Sequence, residues 1–229
     1  DEGDSGRAGR LMPEKAWRAA ALDDGRVFSR AVPHDPRELS VDILLDGSAS
    51  QNRQQEKLST QAYLLVESLT RCHIPVRVTA FCSVSGCTVL RILRDYGHPE
   101  QNEGVLDYIA AGWNRDGLAL RMAGFTMAPV RTERKIVILL TDANPNDSMP
   151  LSRPGRLPVP YEEKNGVEDA AAEVARLRRS GCRVGAVFFG SSGNYPNAEK
   201  IYGRQLVRIR QMEEFSKAAV ELIRMECEQ

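Results

Sequence analysis

The chain has 229 residues, with 31 Lys and Arg balanced by 31 Asp and Glu, 42% hydrophobic residues and 6% aromatic residues. That length can bury a full core in one domain, expected over residues 40–229 behind an N-terminal extension of residues 1–39. Balanced charge argues against a dedicated nucleic-acid binder, and no apolar run approaches the ~18 residues of a membrane span. The opening DEGDSGRAGR has neither a secretory leader nor an initiating Met, so a segment of a longer protein is expected. The five cysteines, Cys72, Cys82, Cys87, Cys182 and Cys227, are an odd number and do not form a disulfide framework. They are expected to be reduced packing residues of a cytoplasmic protein. His34, His73 and His98 are scattered and suggest no histidine site.

In chain order, LMPEKAWRAAAL suggests a short helix and RVFSRAVPHDP a short extended piece, with Pro33 and Pro36 marking a boundary. Val41–Leu45 is a buried strand ending at Asp46-Gly47. Residues 52–71 place Leu58, Ala62, Leu65, Val66 and Leu69 on one helix face. Pro75–Cys82 and Thr88–Leu93 read as a hairpin, followed by a helix near 101–111, the loop WNRDG and a helix from Leu118. Lys135–Leu140 is a second buried strand, ending in Thr141-Asp142. Residues 143–165, with Pro145, Pro150, Pro154, Pro158 and Pro160, read as one long loop, of the length that is either functional or disordered. A helix over 167–180 stops at Gly181, a strand covers Arg183–Phe189, a short strand Gln205–Ile209, and a last helix 212–226. Apolar strands alternating with amphipathic helices predict an α/β fold: a doubly wound, mostly parallel central sheet with one antiparallel edge strand and helices on both faces. Ligands of such sheets bind at the carboxyl ends of the strands, where Asp46 and Asp142 fall.

Asp46-Gly47-Ser48-Ala49-Ser50 places one carboxylate and two hydroxyls at alternate positions in one turn. These are hard oxygen donors of the kind Mg²⁺ takes. Any one of them alone reads as a helix cap. Together with Asp142 at a second strand end they read as a metal site. Arg176, Arg178 and Arg179 read as a solvated helix end, and Trp17 and Trp113 as packing residues.

The motifs DGSAS and ILLTDANPND resemble the von Willebrand factor type A family and its metal-ion-dependent adhesion site, over roughly residues 40–226. The resemblance implies a Rossmann-like fold and a metal held by Asp46, Ser48, Ser50 and Asp142. The family's loop threonine is replaced in NRDG by Asp116, with Thr126 a weaker candidate, and its usual Gly after the last Asp is Ala143. Asp116 has an alternative reading as a cap of the helix that follows. DGSAS, NRDG, LLTDANPND and YEEKNGVEDA further resemble the branch that includes bacterial nitric oxide reductase activation proteins and the metal-site domain of cobaltochelatase T subunits. That branch implies a cytoplasmic partnership with a MoxR-type AAA ATPase in maturing, or inserting metal into, a client enzyme.

The expected function is a non-enzymatic binding module. Its Mg²⁺, or another divalent ion such as Mn²⁺ or Ca²⁺, accepts an acidic residue from a protein partner. The alternative is a Mg²⁺-dependent phosphoryl-transfer or phosphatase-type enzyme with Asp46 as nucleophile. Against it, Ser48 occupies the place where such enzymes carry a second carboxylate. No phosphate-binding glycine motif follows the first strand.

Overall fold

The structure is a computed structural model. It describes residues 39–227, with the side chains of the last two left out, and three two-residue strands before them: β1 (Ser5–Gly6), β2 (Arg10–Leu11) and β3 (Phe28–Ser29). The chain divides into two units, Asp1–Asp35 and Pro36–Gln229. In the first unit β3 pairs antiparallel with both β1 and β2. The expected N-terminal helix begins at Leu11, which belongs to β2; the rest of that stretch, with Trp17, lies outside the described residues.

The second unit is built on β4 (Leu39–Asp46), whose eight residues are all buried. Its sheet has the order β11-β10-β7-β4-β5-β6. The other strands are β5 (Val76–Val84), β6 (Cys87–Arg94), β7 (Arg134–Thr141), β10 (Cys182–Phe188) and β11 (Leu206–Arg208). Every pair is parallel except the β5–β6 hairpin, which forms the antiparallel edge. Helices α1 (Gln55–Arg71) and α5 (Phe215–Cys227) cover one face. Val41, Ile43 and Leu45 of β4 pack there with Leu58, Leu65, Phe215 and Leu222. Strand alternation sends Leu44 to the other face, against α2 (Asp116–Met127) and α3 (Glu163–Arg179). Asp42 and Asp46 share that direction, so the strand's two acids lie on one side of it. The fold is the expected doubly wound α/β arrangement.

Three local expectations are corrected. Residues 99–107 form a 3-10 helix, Pro99–Asp107, in place of the α-helix near 101–111. Only Asn102 and Val105 of this segment are buried, so it lacks the apolar stripe that a packed α-helix buries. The long loop 143–165 contains a two-stranded hairpin, β8 (Asp147–Leu151) with β9 (Val159–Tyr161), and α3 already starts at Glu163. Strand pairing is hard to see there because prolines stand at 150 and 160 and only Asp147 and Tyr161 are buried. Helix α4 (Tyr195–Tyr202) was not anticipated; it buries only Ala198, Ile201 and Tyr202. Among the cysteines with described side chains all are unpaired, but Cys72 and Cys87 are exposed and only Cys182 is buried. Packing therefore does not account for the first two. Cys82 stands opposite Val89 and Cys87 opposite Val84, so the hairpin does not pair them. No helix among the described residues is long and apolar enough to cross a membrane.

Candidate functional site at the carboxyl ends of β4 and β7

β4 and β7 are neighbours in register, Leu45 opposite Leu140, so Asp46 and the Thr141-Asp142 pair emerge side by side. The chain leaves β4 for β5 on one side and returns through α2 to β7 on the other, which makes this the switch point of the sheet. The turn after Asp46 is tight. Gly47 donates its N–H to Phe81 O at 2.8 Å, and a Cβ on it would lie 2.9 Å from that oxygen. Ser48 N–H donates to Asp46 Oδ1 at 2.9 Å, and the Ser48 and Ser50 hydroxyls are hydrogen-bonded at 2.9 Å. A carboxylate and two hydroxyls are thus gathered in one turn. Tyr108 fixes it from behind by donating its hydroxyl to Asp46 O at 2.5 Å.

Asp116 joins them. It is fully buried at the first position of α2, and Arg115, the residue before it, makes no side-chain cap. The Asp116 carboxylate faces the strand ends: Oδ2 accepts from Thr141 Oγ1 at 3.2 Å and Oδ1 from Asn114 Nδ2 at 3.0 Å. The same Asn114 amide nitrogen stands 3.3 Å from Asp46 Oδ2. Asn114 therefore bridges two buried carboxylates. The sequence does not single out Asn114, because an amide carries no charge to mark it, nor Thr141, which reads as the end of an apolar strand. Thr126 is not brought to the site: its hydroxyl donates to Met122 O and Ala123 O within its own helix. Trp113 is not a core residue. It is half-exposed, and its backbone pairs with Ser83 at the rim. Arg178 also departs from expectation, donating to the carbonyls of Val184 and Tyr202.

Electrostatics set these acids apart. Burial, then the Asp116 and Asp142 charges, hold the Asp46 carboxyl well above the usual carboxylate range. Burial, then Asp142, pushes Asp116 up to about 7. Burial raises Asp142 too, opposed by the Ser50 hydroxyl and the Asn144 N–H. Three carboxylates that resist ionisation together lack positive charge. A cavity of about 180 Å³ opens at this turn, lined by Ser48, Ser50, Asn114, Asp142, Asn144 and Asn146; of the three acids Asp142 lines it, while Asp46 and Asp116 lie fully buried behind. It shares Trp113 and Asn146 with a wider groove of about 570 Å³ that runs along Ser148, Pro150, Pro158 and Pro160.

The groove is tied to the site by Arg115. Its Nη2 donates to Met149 O and Pro150 O at 2.7 and 3.0 Å, and its Nε lies 3.3 Å from Asp147 Oδ2. Its guanidinium covers the Tyr161 ring at 4.4 Å, and Asn114 and Asn146 exchange backbone hydrogen bonds. The β8–β9 hairpin is thus fastened to the WNRDG loop.

The Ser48 and Ser50 hydroxyls and the Asp142 carboxylate at the cavity are hard oxygen donors of the kind a divalent cation takes. Among the described residues no three His, Cys, Asp or Glu side chains converge closely enough to hold an ion by themselves. Hydroxyls and water would have to complete the shell, which is how Mg²⁺ is commonly held. The residues present fit such an ion.

No family model matches the chain, and no curated protein matches it in sequence. Solved structures do match. The open conformation of the pilus adhesin SpaC from Lactobacillus rhamnosus GG aligns with TM-score 0.62 and 16% identity, over 82% of this chain and 30% of that one. The vWF domain of the type V pili tip protein Mfa5 from Porphyromonas gingivalis aligns with TM-score 0.61 and 10% identity, over 82% and 94%. Manganese-loaded Plasmodium vivax TRAP protein aligns with TM-score 0.59 and 19% identity, over 82% and 72%. At such identities the likeness is one of architecture, and the architecture is that of a von Willebrand factor type A-like fold.

Proposed function

We propose that the chain is a metal-dependent protein-interaction module. Asp46, Ser48, Ser50 and Asp142 hold a divalent cation, Mg²⁺ in the cell, with Asp116 contributing a further carboxylate. An acidic side chain from a partner completes the shell, while the Trp113–proline groove receives the segment around it. The observation that carries this reading is the gathering of Asp46, Asp116 and Asp142 with the two serine hydroxyls at adjoining strand ends, in a setting short of positive charge. One fold neighbour is manganese-loaded and two are an adhesin and a pilus tip protein, which supports a cation-dependent binding role.

The partner proposed is a MoxR-type AAA ATPase in the cytoplasm, acting with this chain in maturation of, or metal insertion into, a client enzyme. The support is the motif resemblance of DGSAS, NRDG and LLTDANPND. The test is calorimetry with Mg²⁺ and Mn²⁺. The wild-type chain is expected to bind one ion, and Asp46→Ala to lose it while keeping a cooperative melt. Unchanged affinity in Asp46→Ala removes the assignment.

A further inference from the structure

The two edges of the main sheet are built differently. β11, at one edge, is three residues long and stands between Arg204 and Arg210, short and charged as protected edges commonly are. β6, at the other edge, is eight residues long, and its run Cys87–Ile92 holds neither Pro nor Lys. The irregularity in its pairing with β5 lies beyond that run, after Ile92. Cys87, Val89, Arg91 and Ile92 are exposed, and Thr88 and Leu90 are half-buried. The direction of the backbone groups follows from β5. Ser83, opposite Thr88, donates its N–H to Trp113 O at 2.7 Å and accepts the Trp113 N–H at 2.9 Å, on the side of β5 away from β6. Thr88 therefore belongs to a pair without mutual hydrogen bonds, and its N–H and C=O point outward. Alternation gives Leu90 and Ile92 the same direction, while Val89 and Arg91 bond to β5. Among the described residues no hydrogen bond occupies these outward groups. The side chains beside them are mostly apolar. Leu90 and Ile92 turn to the α2 face, where with Met122 they border a cavity of about 200 Å³, and Phe125, three residues after Met122, is 74% exposed. The one charge in the run, Arg91, is met by Asp107: its Nη1 donates to Asp107 O at 2.9 Å and its Nη2 lies 3.8 Å from Asp107 Oδ2.

An open edge of this kind accepts another strand. Which strand it fits is decided by the run's own sequence. Laid antiparallel on itself about Leu90, the run sets Leu90 against the second copy's Leu90, Thr88 against its Ile92 and Val89 against its Arg91. Outward residues then fall opposite outward residues, so each of these outward pairs makes two main-chain bonds. Centring on Arg91 would set the two arginines face to face, and centring on Val89 would carry Ile92 past the β5–β6 turn and lose a bonded pair. With Leu90 on the axis, apolar side chains meet on the α2 face and each Arg91 keeps its Asp107. We propose that β6 pairs antiparallel with β6 of a second copy, closing a two-fold dimer in which one sheet runs through both chains. The pairing is independent of the cation at the carboxyl ends of β4 and β7.

The test is sedimentation of the full chain over a range of concentrations, in EDTA and a reductant, so that neither a cation nor the exposed Cys87 links the copies. A reversible monomer–dimer equilibrium is expected, with nothing larger, because two-fold pairing closes. As the dimer forms, hydrogen exchange should slow at the amides of Thr88, Leu90 and Ile92 and stay unchanged at those of Val89 and Arg91. Leu90→Pro removes both bonds of the central pair and none of those to β5, and should leave only monomer. Ile92→Lys, at an exposed position, should weaken the dimer roughly tenfold, since each substitution counts twice across the axis. Ile92→Lys is expected to melt cooperatively, and it decides the matter if Leu90→Pro does not fold. A wild-type chain that stays monomeric overturns the proposal and leaves β6 to a strand of another protein. Assembly beyond the dimer, a dimer that Ile92→Lys does not weaken, or slowed exchange confined to other segments overturns it as well.

Discussion

Asp116 brings a third carboxylate to a turn where the family resemblance expects a neutral threonine, and its neighbours reflect that difference. Thr141 and Asn114 each spend a hydrogen bond on it. Replacing Asp116 by Thr removes a buried charge that Asp142 repels. In EDTA, Asp116→Thr is therefore expected to melt higher than wild type. With Mg²⁺ its affinity should fall roughly tenfold or more, the usual cost of losing a residue from a metal's surroundings. Calorimetry and melting on the same samples check both, and unchanged Mg²⁺ affinity would leave Asp116 outside the metal's surroundings. Asp46, Ser48, Ser50 and Asp142 were legible as candidates because oxygen donors cluster after apolar strands. Asn114 was not, because its role depends on two carboxylates remote in sequence that only folding brings to it.

At the scale of elements, the strand-end turns depend on close backbone approach. Gly117, in the first turn of α2, leaves no room for a side chain: a Cβ there would lie 2.1 Å from Asp169 Oδ2 and 3.2 Å from the Tyr161 hydroxyl, which accepts the Gly117 N–H at 3.2 Å. Gly117→Ala is expected to destabilise by about 1–3 kcal/mol, the usual cost of overpacking, and to lower cation affinity by shifting Asp116. Denaturant unfolding checks the first part and calorimetry the second. Ala143 has φ +52°, a left-handed conformation that glycine adopts more readily, which explains why the related motif carries Gly at that place. The strands and helices of the main sheet were legible from apolar periodicity. Their bounds shifted by a few residues, because dihedral geometry and capping, not hydropathy, set where an element ends. The β8–β9 hairpin was not legible, since its strands are short, mostly exposed and proline-bearing.

For the whole molecule, pH and cation should act on different properties. Asp42 has a folded pKa of about 7, above its ordinary value of 3.8, with Arg77, Tyr96 and Asp95 facing it. The folded state therefore holds more protons than the unfolded chain between those values. The contribution of Asp42 to stability is fully present below about pH 4, falls as pH rises to about 7, and is constant above. Asp42→Asn is expected to flatten this slope relative to wild type when both are unfolded by denaturant in EDTA from pH 4 to 8. Parallel slopes would mean that Asp42 stays ionised throughout. Association with a partner should follow the cation instead. A pull-down with the proposed AAA ATPase should lose the complex in EDTA and with Asp142→Ala, whereas truncating residues 1–35 should matter less. Equal recovery in Mg²⁺ and EDTA, with Asp142→Ala also binding, would sink the metal bridge.

The Arg115 fastening also has a mechanical meaning. Arg115 follows Asn114 and precedes Asp116, and it grips the carbonyls of Met149 and Pro150 while lying over Tyr161. A load on the β8–β9 hairpin is passed through Arg115 to Asn114, whose side chain bridges the buried carboxylates, and to Asp116, which carries one of them. The hairpin is a lever with its short arm in the site. A partner that pulls it outward would separate Asn114 from Asp46 and Asp116, and one that presses it inward would tighten the same three residues.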